Sequence, residues 1–176
     1  MVTQHLLAIL PPDNVAGEIA DLQMVLFRNH GVASSQALPP LLPVIWTGNA
    51  APESLAARTR TADLEPIGIG APRISDSTVI IPVELGAGWS TWIDSVGRWR
   101  RDDPNPLAAH LPAPGRGFFV CEMEHSPFEV PETALSARRL SSIAFVRVAI
   151  SVADPEKPWA GVDWTVEWKV FAKLRG

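Results

Sequence analysis

"ALPPLLPVIWTG", residues 37–48, sets a short apolar run between two turn signals. Pro39-Pro40 marks a turn, because proline fixes φ and has no N–H to donate. The apolar run that follows is short and stops at Thr47-Gly48, as a buried strand bounded by turn signals does. Toward the amino end, "VTQHLLAIL" (2–10) is a second short apolar run, closed by Pro11-Pro12, and reads as another strand.

The two runs are joined by "DNVAGEIADLQMVLFRNHG" (13–31). There Val15, Ile19, Leu22 and Leu26 recur at steps of four, three and four, which is one face of a helix. Asp13 or Asn14 is suited to cap its start, and Gly31 stands where a left-handed residue closes a helix.

Toward the carboxyl end the spacing predicts a short helix over 52–60, then strands in "LEPIGIG" (64–70) and "STVIIPVEL" (77–85). "GIGAP" (68–72) lacks the Lys-Ser/Thr of a phosphate loop and reads as a turn. A second helix is expected from Ser90, with Trp89, Trp92, Val96 and Trp99 at helical spacing and prolines and Asp102-Asp103 beyond it. "RGFFVCEME" (116–124) reads as a strand. Alternation gives it one face of Phe119, Cys121 and Met123, and another of Arg116, Phe118, Val120, Glu122 and Glu124. A short helix is expected at 131–139. "SSIAFVRVAISV" (141–152) and "VDWTVEWKVFAKL" (162–174) then read as long strands. In the last, Val162, Trp164, Val166, Trp168 and Val170 alternate with Asp163, Thr165, Glu167 and Lys169, as in an antiparallel strand with one wet face.

Composition bounds the function. The 176 residues suffice for one domain with a real core, and 47% hydrophobic against 19% charged residues describes a globular chain. The formal charge is −4, and basic residues cluster only at Arg98, Arg100, Arg101 and at Arg138-Arg139, which argues against nucleic acid as a partner. The single cysteine, Cys121, excludes an intramolecular disulfide and fits a reducing compartment. "HLLAIL" is far too short to span a membrane and no basic segment precedes it, so a cytoplasmic, soluble protein is expected. Seventeen prolines and no tyrosine are unusual; the prolines separate apolar runs instead of forming one tract.

The element order repeats. "HLLAIL" at 5 corresponds to "VIIPVEL" at 79, and "LLPVIW" at 41 to "FFVCEM" at 118, offsets of 74 and 77 residues. Two halves of one plan suggest an internal duplication. The expected architecture is α+β: a single domain, 1–176, of two pseudo-symmetric lobes of antiparallel sheet with flanking helices around a central cleft. The lobes fall roughly at 1–75 and 76–176, interleaved at the C-terminal strands.

In this order of elements, in "PPDNVAGEIADLQ", in "PPLLPVIW" and in "GFFVCEM", the chain resembles the 2H phosphoesterase (2′-5′ RNA ligase-like) superfamily. The resemblance implies a cleft between two lobes with one His-x-Thr/Ser motif from each. One histidine would serve as general base and the other as general acid on a phosphodiester, with the hydroxyls holding phosphate. Aligned this way, Leu41 and Pro43 stand at the first motif, and Phe118 and Val120 at the second. No slip of register restores either motif: His5, His30, His110 and His125 are followed two places on by Leu7, Val32, Pro112 and Pro127. Four groups that transfer no proton would line the cleft, and general acid–base catalysis needs a titratable group.

The other candidates are few. Glu122, Glu124 and His125 lie close in sequence, but His125 points away from the two carboxylates on a strand, so no metal is expected. Cys121 shares a face with Phe119 and Met123 and behaves as a small hydrophobe. His110 sits in a proline-rich loop, and His30 lies at a helix C-terminus where the dipole favours it. Arg116, on the face of Phe118, would suit an anionic ligand. Trp89, Trp92, Trp99, Trp164 and Trp168 have core-facing spacing. No cofactor is implied.

Three classes of function remain. The leading one is a non-catalytic scaffold whose inter-lobe groove, lined by Leu41, Pro43, Arg116, Phe118 and Val120, takes a small-molecule ligand or a protein segment. The second is a phosphodiesterase-like hydrolase using relocated groups among His110, His125, Glu122 and Arg116. The third is an oligomerisation or interaction module that buries the groove or an exposed lobe edge.

Overall fold

In the computed structural model the described residues are 1–47, 59, 64–97, 105–123, 127–133, 135–160 and 163–175. The helix expected at 52–60 (all but Thr59), Trp99, Asp102-Asp103, Glu124 and His125 lie outside them.

The amino-terminal apolar run is strand β1 (Val2–Leu10), and helix α1 (Asp13–His30) follows. Val15, Ile19, Leu22 and Leu26 are buried, so the helical face read from spacing is the one that packs. The start differs in detail. Pro12, extended at φ −63° and ψ 155°, takes the cap position and no side chain caps the helix, so Asp13 is already its first residue. An acidic side chain there still complements the helix dipole. At the other end Gly31 has φ 66° and its N–H donates to the Phe27 carbonyl at 2.8 Å. That left-handed turn leads into a short helix α2 (Ser34–Ala37) and then strand β2 (Leu42–Thr47).

Two short strands, β3 (Gly68–Ile69) and β4 (Arg73–Ser75), precede β5 (Thr78–Glu84). Helix α3 (Ala87–Val96) starts earlier than Ser90 because a distant residue caps it. The Gly88 N–H donates to Glu65 Oε2 at 3.1 Å, and Trp89 Nε1 donates to the Glu65 carbonyl at 2.8 Å. A 3₁₀ turn (Pro106–His110) and strand β6 (Gly117–Glu122) come next. The helix expected at 131–139 is absent among its described residues. Arg138-Arg139 instead form β7, paired with β3, and the Leu140 N–H reaches the Ile67 carbonyl at 2.9 Å. Those backbone bonds go to a sheet, which satisfies them as well as a helix would. Strands β8 (Ser142–Val152) and β9 (Trp164–Arg175) complete the chain.

The fold is α+β with two antiparallel sheets. The first has the order β2-β1-β8-β9; in the second β5 pairs with β3, β4 and β6, and β3 with β7. The unit β1-α1-β2 recurs as β5-α3-β6, and in each the strand after the helix pairs antiparallel with the one before it.

Two apolar clusters flank the strands. The first gathers the inner faces of α1 and α3 with Leu7, Val79, Phe118 and Phe145. Its aromatic centre is Trp89, Trp92 and Phe145, with Trp92 and Phe145 ring centroids 4.9 Å apart. The second joins Leu6, Ala8, Val148 and Ile150 of the first sheet to Leu41, Phe119, Leu107, Leu111 and Trp159. Each fully buried Leu, Ile or Phe is worth about 1.5–3 kcal/mol. The core-facing reading of the tryptophans holds for Trp89 and Trp92 and fails for Trp168, which is 51% exposed, with Val170 at 41%. They lie on the outermost strand of the first sheet, past Trp164 and Val166, which still pack against the second cluster.

Candidate functional site

Strand β6 carries the position where the second motif was expected, and its register settles which side chains meet. Ile81 pairs with Phe118, Ile80 with Phe119 and Val79 with Cys121, so Val120 is an extra residue in a bulge. Paired residues share a face. Val79, Ile81, Phe118 and Cys121 belong to the helix-bearing cluster, as does Val120, whereas Phe119 belongs to the second.

Leu41 is also in the second cluster, and Pro43 pairs with Ala8 of that cluster. The Phe119 N–H donates to the Leu41 carbonyl at 2.8 Å, and the Gly115 N–H to the Pro43 carbonyl at 2.9 Å. The two sheets therefore meet where residues 41–43 run beside residues 115–119. Phe119 shares the second cluster with Leu41, whereas Phe118 and Val120 lie in the first. Both faces of β6 are buried, so its sequence shows no polar alternation from which to choose a register, and the bulge reverses the alternation after Val120.

Leu41, Phe118, Phe119 and Val120 are fully buried and Pro43 is buried. These side chains form interior and present no open groove surface. Arg116, at the mouth of β6, is exposed and apart from them, with its carbonyl accepting from the Val83 N–H.

The next residue on the Phe119 face is Glu122, since its partner Thr78 shares a face with Ile80. Here the cluster turns polar. His110 Nδ1 lies 2.9 Å from Glu122 Oε1 and 3.0 Å from Oε2, and Trp159 Nε1 donates to Oε2 at 3.0 Å. The Ser34 hydroxyl accepts from the Glu122 N–H at 2.9 Å and donates to the Glu122 carbonyl at 3.2 Å. Ser34 is fully buried, while the His110 and Glu122 side chains are each 15% exposed.

Local sequence explains how His110 arrives there. Asn105 Oδ1 accepts from the Leu107 N–H at 2.9 Å and Pro106 follows it, which starts the 3₁₀ turn that His110 ends. A carboxylate bound at Nδ1 orients an imidazole and leaves Nε2 able to exchange a proton. It also satisfies a largely buried carboxylate, which is a structural service.

Of the relocated groups considered from sequence, the structure brings His110 and Glu122 together, keeps Arg116 apart and does not describe His125. Sequence reasoning missed Ser34 and Trp159; they lie 88 and 37 residues from Glu122, and nothing local couples them to it. His30 stacks on Phe128 with centroids 4.5 Å apart, and Cys121 is fully buried. Among the described residues no three His, Cys, Asp or Glu side chains converge on a metal position. A surface cavity of about 560 Å³ lies between β3, β7 and the start of α3, edged by Glu65, Glu84, Arg138 and Arg139. Two of these are already engaged, Glu65 with α3 and Arg138 with Glu18. Among the described residues no helix is long and apolar enough to cross a membrane.

No protein-family model matches the chain, and no curated protein matches it in sequence. Solved structures match it in fold. The crystal structure of TT0787 of Thermus thermophilus superposes with a TM-score of 0.55 at 15% identity, covering 98% of this chain and 97% of that one. E. coli LigT complexed with 3′-AMP superposes with a TM-score of 0.52 at 11% identity, over 98% and 97% of the two chains. The chain thus has a LigT-like, 2H phosphoesterase fold along nearly its whole length, with little sequence in common.

Proposed function

We propose that this chain uses the LigT-like fold as a non-catalytic binding scaffold, with a small molecule or a protein segment as partner. One observation carries the reading. Where the two sheets meet, Leu41 and Phe119 share one apolar cluster and Pro43 pairs with Ala8 of that cluster, and none of these side chains can donate, accept or hold a proton. The sequence supports it independently, since no His-x-Ser/Thr occurs anywhere in the chain. A ligand entering there would have to displace Leu107, Leu111 and Trp159, which share that cluster, so the outer surfaces are the easier place to bind.

LigT has been crystallised with 3′-AMP, which supplies the test. In a ¹⁵N-resolved NMR titration of this chain with 3′-AMP, the amides of Leu41, Gly117 and Phe119 should not move. Saturable shifts there would show that the junction opens to this ligand, and hydrolysis of a 2′,3′-cyclic nucleotide by the chain would overturn the non-catalytic reading.

The His110–Glu122 contact favours a second reading, in which His110 exchanges a proton through Nε2 as the base of a relocated hydrolase. Any phosphodiester or ester turnover by the chain would then vanish in His110→Ala. Turnover that survives the substitution would remove this reading.

A further inference from the structure

Strand β9 is the outermost strand of the first sheet. It pairs with β8 along its whole length, and among the described residues no strand pairs with its other edge. An open edge presents a row of N–H and C=O groups ready to accept another strand. Its middle is also the most apolar exposed part of the sheet: Trp168 is 51% exposed and Val170 41%, flanked by exposed Glu167 and Lys169.

We propose that β9 pairs antiparallel with β9 of a second copy of this chain, about a twofold axis at Trp168, so that the first sheet continues across the dimer. Charge complementarity favours a second copy as the occupant and disfavours registers shifted by one residue. A twofold at Trp168 sets Glu167 opposite Lys169 of the second copy and Lys169 opposite its Glu167. It also places Val166 against Val170 on either side, and the two Trp168 rings beside each other. Moving the axis by one residue, to Glu167 or Lys169, puts like charges face to face. Cross-strand pairs of opposite charge attract and directly opposed like charges repel, so this register is favoured over those shifted by one residue. An edge lysine ordinarily discourages strand addition; Glu167, two positions away on the same face, offsets that obstacle when a second copy is the partner.

This inference does not rest on the scaffold reading, since none of these residues belongs to the sheet junction or to the His110–Glu122 cluster. The test is sedimentation equilibrium of the full chain over a wide concentration range at low salt. The wild type should form dimers. Glu167→Lys and Lys169→Glu each turn two attractive pairs into repulsive ones, and each should weaken dimerisation at least about tenfold. Both positions are exposed, so thermal unfolding should show both variants folded. An equimolar mixture of the two variants should restore dimers, because the reversed charge at 167 on one copy then meets the reversed charge at 169 on the other. A wild type that stays monomeric, a dimer indifferent to both reversals, or a mixture that fails to re-associate would each overturn the proposal.

Discussion

Glu122 is the residue on which three distant segments depend. Its carboxylate holds His110 from the 3₁₀ turn and Trp159 from the loop before β9, while its backbone is held by Ser34 of α2. Truncation leaves two donors in a largely dry site without a partner, and each such loss costs roughly 1–3 kcal/mol. Glu122→Ala should therefore lower stability by about 3 kcal/mol, and Glu122→Gln, which keeps an acceptor for Trp159 Nε1, by clearly less. Urea unfolding of the two variants checks this; equal midpoints would show that the bonds contribute little. Residue identity was legible here, since His110 and Glu122 both stood out in sequence as groups able to do chemistry. Their pairing was not, because a contact between a loop and a strand leaves no periodic trace.

At the scale of elements, legibility followed amphipathicity. Helix α1 could be read because one apolar stripe ends at a glycine with positive φ. The start of α3 could not, because its capping carboxylate comes from Glu65, outside the helix. Two-residue strands such as β3 and β7 have no pattern to read, and β9 alternates as a half-buried strand does although Trp168 and Val170 face solvent. Strand β6 is the instructive case. Fully buried on both faces, it offered two registers, and the bulge at Val120 decided between them. The close approach of β5 adds a prediction. A Cβ on Gly117 would lie 2.6 Å from the Ile81 carbonyl oxygen, a backbone atom that cannot swing aside. Gly117→Ala should cost about 1–3 kcal/mol, as overpacking does, read as a drop in the thermal midpoint. An unchanged midpoint would mean that β5 and β6 separate easily.

For the whole molecule, the order of strands, helices and proline turns was enough to anticipate an α+β fold of two antiparallel sheets, and the LigT-like structures match it along nearly the full chain. Sheet membership was harder to see: β8 and β9 join the first sheet from the far end of the sequence, through pairings no local signal encodes. What the whole fold implies for function turns on the junction of the sheets, where the Leu41 carbonyl accepts from the Phe119 N–H and the two side chains share one apolar cluster. The most direct measurement follows the phosphorus NMR spectrum of a 2′,3′-cyclic nucleotide and a 2′-5′-linked dinucleotide incubated with the purified protein. Neither substrate's phosphorus signal should change over long incubation. Turnover that scales with protein concentration and is lost in His110→Ala would contradict it and place the chemistry at the His110–Glu122 pair.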